Sequence, residues 1–184
     1  MRDVIEIETK RLRLRRVRMS DAPRIARFCN DPGVGRMLAM TPLPYLEAAA
    51  EGWIMISRAR PAGSHYTFGV EIEGEGIIGC VGAHAQKDGG FEVGYWFGRP
   101  YWGQGYGTEA VGAFIAEAWR LGPLAAGHFV DNPASGRVLR KVGFDYTGET
   151  KRMFSMGRGE SVDCKRMRYA GADVSGEGCE AAFA

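Results

Sequence analysis

The sequence predicts an α/β (α+β) fold: a mixed, mostly antiparallel seven-stranded sheet with helices on both faces. Three observations predict it. Alternating apolar segments run from Tyr66 to Phe97, broken by Glu73-Gly74-Glu75-Gly76 and Lys87-Asp88-Gly89-Gly90, so three strands are linked by hairpins. A strand–helix–strand unit then spans Phe91 to Val130, and the handedness of such crossovers makes its two strands parallel. The 184 residues, 45% hydrophobic and 25% charged, suit one domain with a substantial core.

Each element has a local cause. Thr9 to Arg18 alternates as a first strand, with Leu12, Leu14 and Val17 inward and the arginines between them on an exposed face. Ser20 caps a helix through Ile25 and Phe28 that stops at Asn30-Asp31-Pro32-Gly33. Pro44 suits the first turn of a second helix, whose inner face is Leu46, Ala49, Ala50, Trp53 and Ile54. After the three hairpin-linked strands, Ala110, Val111, Phe114, Ile115, Ala118 and Trp119 recur at helical spacing, and Leu124 to Val130 is a strand. Asn132-Pro133 opens a helix that Gly143 stops. Phe144–Phe154 and Ser161–Tyr169 form a last hairpin around Met156-Gly157-Arg158-Gly159. The order is β-α-α-β-β-β-α-β-α-β-β. Residues 1–170 form the single domain, and 171–184, small and polar, a flexible tail.

A formal net charge of +2 gives no argument for nucleic acid, and no apolar run approaches the ~20 residues of a membrane span. The N-terminus lacks a secretory apolar core. Cys29, Cys80, Cys164 and Cys179 have no paired spacing, and the three histidines are dispersed. These features fit reduced thiols in a cytoplasmic protein without a metal site.

Chemistry concentrates at Gly103-Gln104-Gly105-Tyr106-Gly107-Thr108-Glu109-Ala110, between a strand and a helix. Alternating glycines let the backbone aim N–H groups at one point, and the helix adds its own unpaired donors, so the segment is a phosphate cradle. A dinucleotide fold is disfavoured: Gly103-x-Gly105-x-x-Thr108 is one residue off its fingerprint, Asp131 offers a ribose-binding acid, but three hairpin strands precede the turn. A P-loop is excluded because no Gly-x-x-x-x-Gly-Lys is present.

The segment Tyr95-Trp96-Phe97 with Tyr101-Trp102-Gly103-Gln104-Gly105-Tyr106-Gly107-Thr108-Glu109-Ala110, followed by Asn132-x-x-Ser135-x-x-Val138-Leu139-x-Lys141-x-Gly143-Phe144, resembles the GCN5-related N-acetyltransferase (GNAT) superfamily, in its RimJ/RimL-like branch. The likeness spans Thr9 to Tyr169. It implies the GNAT fold, acetyl-CoA as donor and a primary amine as acceptor, either a small molecule or a protein N-terminus. Trp102 departs from the superfamily's Arg or Gln, so the main chain of Gly103, Gln104, Gly105, Tyr106, Gly107 and Thr108 carries the pyrophosphate. The resemblance further implies a split, often through a bulge, between the strands ending at Phe97 and Val130. The pantetheine arm lies there, paired with backbone near Trp96 and Phe97 and with Asn132, which also caps its helix.

Glu92 is the candidate general base; the alternatives are an exposed strand residue or a partner for an arginine. Glu109 reads as structural, complementing the helix dipole. Many superfamily members place an acidic tyrosine where Leu139 stands, so Ser135 is the candidate proton donor to the departing thiolate; otherwise it is an ordinary helix residue. Arg137 and Arg140 reach an outer phosphate or remain solvated. The tryptophans read mainly as packing, while Tyr45, Tyr66 and Tyr146 are candidates to line the acceptor cavity, shaped by 31–43 and the 155–160 tip. The expected activity is direct N-acetyl transfer in a ternary complex by a monomer or homodimer. The rivals are an amine-detoxifying acetyltransferase and a non-catalytic coenzyme sensor.

Overall fold

The computed structural model describes residues 6–172. Most of the expected tail, with Cys179, lies outside the described residues. The strands are β1 (Glu6–Glu8), β2 (Arg13–Arg16), β3 (His65–Ile72), β4 (Gly76–Ala85), β5 (Phe91–Phe97), β6 (Leu124–Phe129), β7 (Phe144–Ser155) and β8 (Glu160–Tyr169). The helices are α1 (Ala22–Cys29), α2 (Pro32–Gly35), α3 (Glu47–Ala59), α4 (Tyr106–Ala118) and α5 (Pro133–Lys141). The strands form one eight-stranded sheet in the order β1-β2-β3-β4-β5-β6-β8-β7. Only β5–β6 is parallel, as the crossover through α4 requires.

The expected seven strands become eight because Thr9–Arg18 does not run straight. Thr9 turns the chain, its N–H donating to the Leu12 carbonyl and its Oγ1 accepting the Leu12 N–H at 3.0 Å, and Glu6–Glu8 pairs back on Arg13–Arg15. Nor do all the arginines there face water. Arg15 is buried, held by both oxygens of Asp21 at 2.8 and 2.9 Å and by Glu71. Burial opposes ionisation of Asp21, but Arg15 and the Arg18 N–H outweigh it and hold the carboxyl below its usual range.

The second helix starts later than Pro44 suggests. Asn30 Oδ1 accepts the Tyr45 N–H at 2.9 Å and Leu46 stays extended, so the helix opens at Glu47. The expected breaker at 30–33 contains a helical turn of its own, with the Asp31 carboxylate capping Gly33 at 2.7 Å.

The sheet is covered on both faces. α4 and α5 pack on one, where Phe114, Leu139 and Phe144 are fully buried among Leu14, Val70, Val81 and Val93. α1 and α3 pack on the other, over Val17, Ile77 and Cys80. Because strand side chains alternate, Phe91, Val93, Tyr95 and Phe97 lie on the α4 side, and Glu92, Gly94 and Trp96 on the α1/α3 side.

Candidate active site

β5 and β6 are laddered only from Phe91–Leu124 to Val93–Ala126. Beyond that point β5 follows β4 to Phe97 and β6 follows β8 to Phe129, so the sheet splits into a V. The expected bulge is not its cause: the β4–β5 register runs without a shift, and the two shifts lie in β3–β4 and β7–β8. The Gly98 N–H donates to Ile78. By the alternation of an antiparallel ladder, Trp96 and Gly94 therefore pair with β4, and the main-chain groups of Tyr95 and Phe97 face the split. This corrects the expectation for Trp96, whose backbone is turned away. The Phe97 carbonyl accepts the Trp102 indole N–H at 2.7 Å, which leaves its N–H and both groups of Tyr95 toward the opening.

The glycine turn closes one end of the V. Gly103 and Gly105 adopt positive φ of 75° and 82°, and Gly105 caps α4 without a side-chain bond. Among the described residues, the N–H groups from Gly103 to Thr108 donate to no acceptor of the chain. They converge with the positive end of α4, the arrangement that binds phosphate oxygens. The Gln104 side chain turns back to the Pro100 carbonyl at 2.8 Å, so this residue offers backbone rather than its amide.

Arg11, which the sequence did not flag, supports the turn. It donates to the Gln104 carbonyl at 3.1 Å, lies 4.4 Å over the Tyr106 ring, and pairs with Glu109 at 2.6 Å. Glu109 also accepts from Thr9 at 2.7 Å, so it fastens α4 to the β1–β2 turn. Burial disfavours its charge, but these donors lower its pKa overall.

Across the V, Asn132 caps α5, its Oδ1 accepting the Ser135 N–H at 3.3 Å. Ser135 Oγ lies 2.8 Å from the Tyr95 hydroxyl, and the Ser135 carbonyl lies 3.0 Å from the same hydroxyl, whose one proton serves either of them. Tyr95 thus bridges β5 and α5, a contact between positions forty apart in the chain that no local pattern announces. Burial pushes its hydroxyl up to about 12, so it keeps its proton at neutral pH. Leu139 is 1% exposed and belongs to the core.

Glu92 lies on the α1/α3 side, where Arg166 grips both of its oxygens at 2.6 and 2.7 Å. Its register neighbour on the same face is His84, and the next across the sheet is His65. His65 and His84 edge a cavity of about 290 Å³ between the β3–β5 surface, α3 and the 38–41 loop. Trp53, Trp96, Tyr45 and Tyr66 line it, so two of the tryptophans face open space rather than serving only as packing. Tyr146 does not line it; its hydroxyl meets His128 Nε2 at 2.9 Å on the far side of the split. Asp131 pairs with Arg158 at 2.8 Å and Arg36 at 3.3 Å. Arg137 and Arg140 are exposed on α5. Among the described residues no group of three or more His, Cys, Asp or Glu could hold a metal, and no helix is long and apolar enough to cross a membrane.

Comparison with known proteins decides which family uses this architecture. Residues 11–145 match the family model described as acetyltransferase (GNAT) domain. The chain belongs to the GNAT acetyltransferase family. This GNAT chain is 28% identical over 161 residues to an uncharacterized N-acetyltransferase, p20, of Bacillus licheniformis, covering 84% of the chain and 90% of the relative. Its fold matches that of Mycobacterium smegmatis RimJ solved with CoA-disulfide, at a TM-score of 0.75 and 21% identity over 90% of this chain and 84% of the other. It also matches the microcin C7 self-immunity acetyltransferase MccE in complex with acetyl-CoA and AMP, at 0.73 and 18% identity, covering 87% and 92%. GNAT acetyltransferases use acetyl-CoA.

Proposed function

We propose that the protein moves an acetyl group from acetyl-CoA to a primary amine by direct attack within a ternary complex. The observation that carries this reading is the split beyond Val93 and Ala126, beside a turn whose amides are unpaired. Pyrophosphate oxygens take the N–H groups of Gly103 to Thr108. The pantetheine amides pair with the Tyr95 and Phe97 backbone in the manner of an added strand, and with the Asn132 amide. The thioester then lies at the apex of the V, reached from the α1/α3 side by the amine.

The amine nitrogen forms a bond to the carbonyl carbon, and charge builds on the oxygen, which a main-chain N–H facing the split stabilises. The carbon–sulfur bond breaks and the thiolate takes a proton from Ser135 Oγ, which regains one from solvent by way of the Tyr95 hydroxyl, so that both hydroxyls end protonated. Positioning supplies much of the rate, since two bound substrates react as one molecule. The nucleophile must be neutral, and an α-amine of pKa about 8 loses its proton far more easily than a lysine at about 10.4. Glu92 receives that proton through water along the row it shares with His84. A structural role for Glu92 is the second reading, favoured by its two-point pair with Arg166.

Glu92→Gln separates them in a thiol-release assay run from pH 6.5 to 9.5. As a base, Glu92 gives a variant with kcat down about tenfold or more at pH 7 and recovering as solution conditions deprotonate the amine. Acetyl-CoA affinity by calorimetry stays the same. A loss that is equal at every pH, or no loss, returns Glu92 to the structural reading; failure to bind acetyl-CoA at millimolar concentration removes the whole proposal.

A further inference from the structure

The cavity on the α1/α3 side has a composition that defines what it accepts. It is about 290 Å³, near the low end of small-molecule sites. Among the described residues no Asp, Glu, Lys or Arg lines it. The nearest carboxylate in the strand row, Glu92, stands outside the lining and is held by Arg166. His65 adds no charge near neutral pH, because burial, Arg60 and His84 pull its pKa down to about 4.

The floor is bare backbone. Gly82 and Gly94 are register partners on adjacent strands, and both face the cavity. A Cβ built on Gly94 meets no atom within 4 Å, and its φ is not in the left-handed region. Neither conformation nor packing therefore demands glycine there; what its absent side chain provides is open space beside Tyr95 and Trp96, on the strand that borders the split. Trp53, Trp96 and Tyr45 line the same cavity and supply its aromatic walls. A flat floor under aromatic walls fits a planar apolar group, with an edge open to the V for its nitrogen.

We infer that the acceptor is a primary amine carried on a flat apolar skeleton, such as an arylalkylamine, with no second charge near the nitrogen; this rests on the acetyl-transfer reading above. A second ammonium or a carboxylate beside the amine would enter a cavity that offers it no Asp, Glu, Lys or Arg partner among the described residues, which burial penalises strongly. The same walls favour the neutral amine over its ammonium, which is the form that attacks.

The test uses the full chain with acetyl-CoA at pH 8 and three acceptors: 2-phenylethylamine, L-phenylalanine and spermidine. Acetyl-CoA binding is measured first by calorimetry, so a failure of donor binding is told apart from a failure of this inference. The expected kcat/KM for phenylethylamine exceeds the other two by about thirtyfold or more, on the order of 2 kcal/mol. Gly94→Leu fills the floor and raises KM for phenylethylamine about tenfold or more, with the acetyl-CoA dissociation constant retained. Should that variant fail to fold, Trp53→Glu serves: a carboxylate in the wall shifts the spermidine-to-phenylethylamine ratio upward at least about tenfold. Donor binding with phenylalanine or spermidine equal to or better than phenylethylamine overturns the inference, the latter by showing that the rings act as a cation cage. An unchanged KM in Gly94→Leu, or an unchanged ratio in Trp53→Glu, overturns it too.

Discussion

His65 shows how one residue's surroundings set a property of the whole. It is half-buried, Nε2 meets Thr67 Oγ1 at 2.7 Å, and Nδ1 has no partner among the described residues. Burial, then Arg60 and His84, lower its pKa from 6.5 to about 4. Above pH 6.5 the ring is neutral folded or unfolded and stability is unaffected. Between 6.5 and about 4 the unfolded chain takes up a proton that the folded chain refuses, so stability falls as pH falls. His65→Gln should lose less stability than the wild type between pH 7.5 and 4.5, read as urea midpoints; parallel losses would show that the folded ring protonates freely. None of this was legible in the sequence, where the three histidines were only dispersed. The fate of Glu92 was equally hidden, because Arg166 lies 74 positions away and only the β6–β8 pairing brings it across.

Elements were far more legible than pairings. Period-two and period-3.6 patterns marked the three hairpin strands and α4, since each buries one face and burial imposes the period. Glu6–Glu8 escaped because three residues with two charges carry no such pattern. The glycine turn was legible as a turn because positive φ selects glycine, and its reading as a phosphate cradle is a proposal. That claim has a controlled test. Gly105→Ala forces a side chain into the left-handed region at the cap of α4 and brings its Cβ to 3.4 Å from Arg11 Nη2. Gly89→Ala imposes a similar φ of 88° in the β4–β5 hairpin, where a Cβ meets nothing within 4 Å. Both should lower stability by about 1 kcal/mol. Only Gly105→Ala should weaken acetyl-CoA, by about tenfold, because only there do the strained amides face phosphate. Equal coenzyme affinities in calorimetry would mean that the turn is a connector and the phosphates lie elsewhere.

At the scale of the molecule, the acceptor side depends on two segments far apart in sequence. Residues 38–41 form one wall of the cavity, and the β7–β8 tip braces the loop that carries them rather than lining the cavity itself. Met156 N–H donates to Ala39 at 2.9 Å, and Arg158 Nε donates to Arg36 at 2.7 Å. Arg158 is anchored in turn by two bonds to Asp131, at 2.8 and 3.0 Å, and that pairing holds the Asp131 carboxyl below its usual range. Asp131 lies just past β6, so a chain of contacts runs from the edge of the V to the wall of the cavity. Gly157 permits the close approach, since a Cβ there would sit 2.9 Å from the Thr41 carbonyl. The sequence placed both segments near the acceptor but could not show which lined and which supported, because that depends on contacts more than a hundred residues apart. If the clasp sets the wall, Arg158→Ala should raise KM for the amine about fivefold or more and leave acetyl-CoA affinity intact, because the cradle shares no contact with it. Asp131→Ala should do the same by freeing Arg158, and the double variant should be no worse than either single one, since both break one linkage. Additive losses would mean that Asp131 and Arg158 act separately, and a matching drop in acetyl-CoA affinity would place the clasp on the donor side instead.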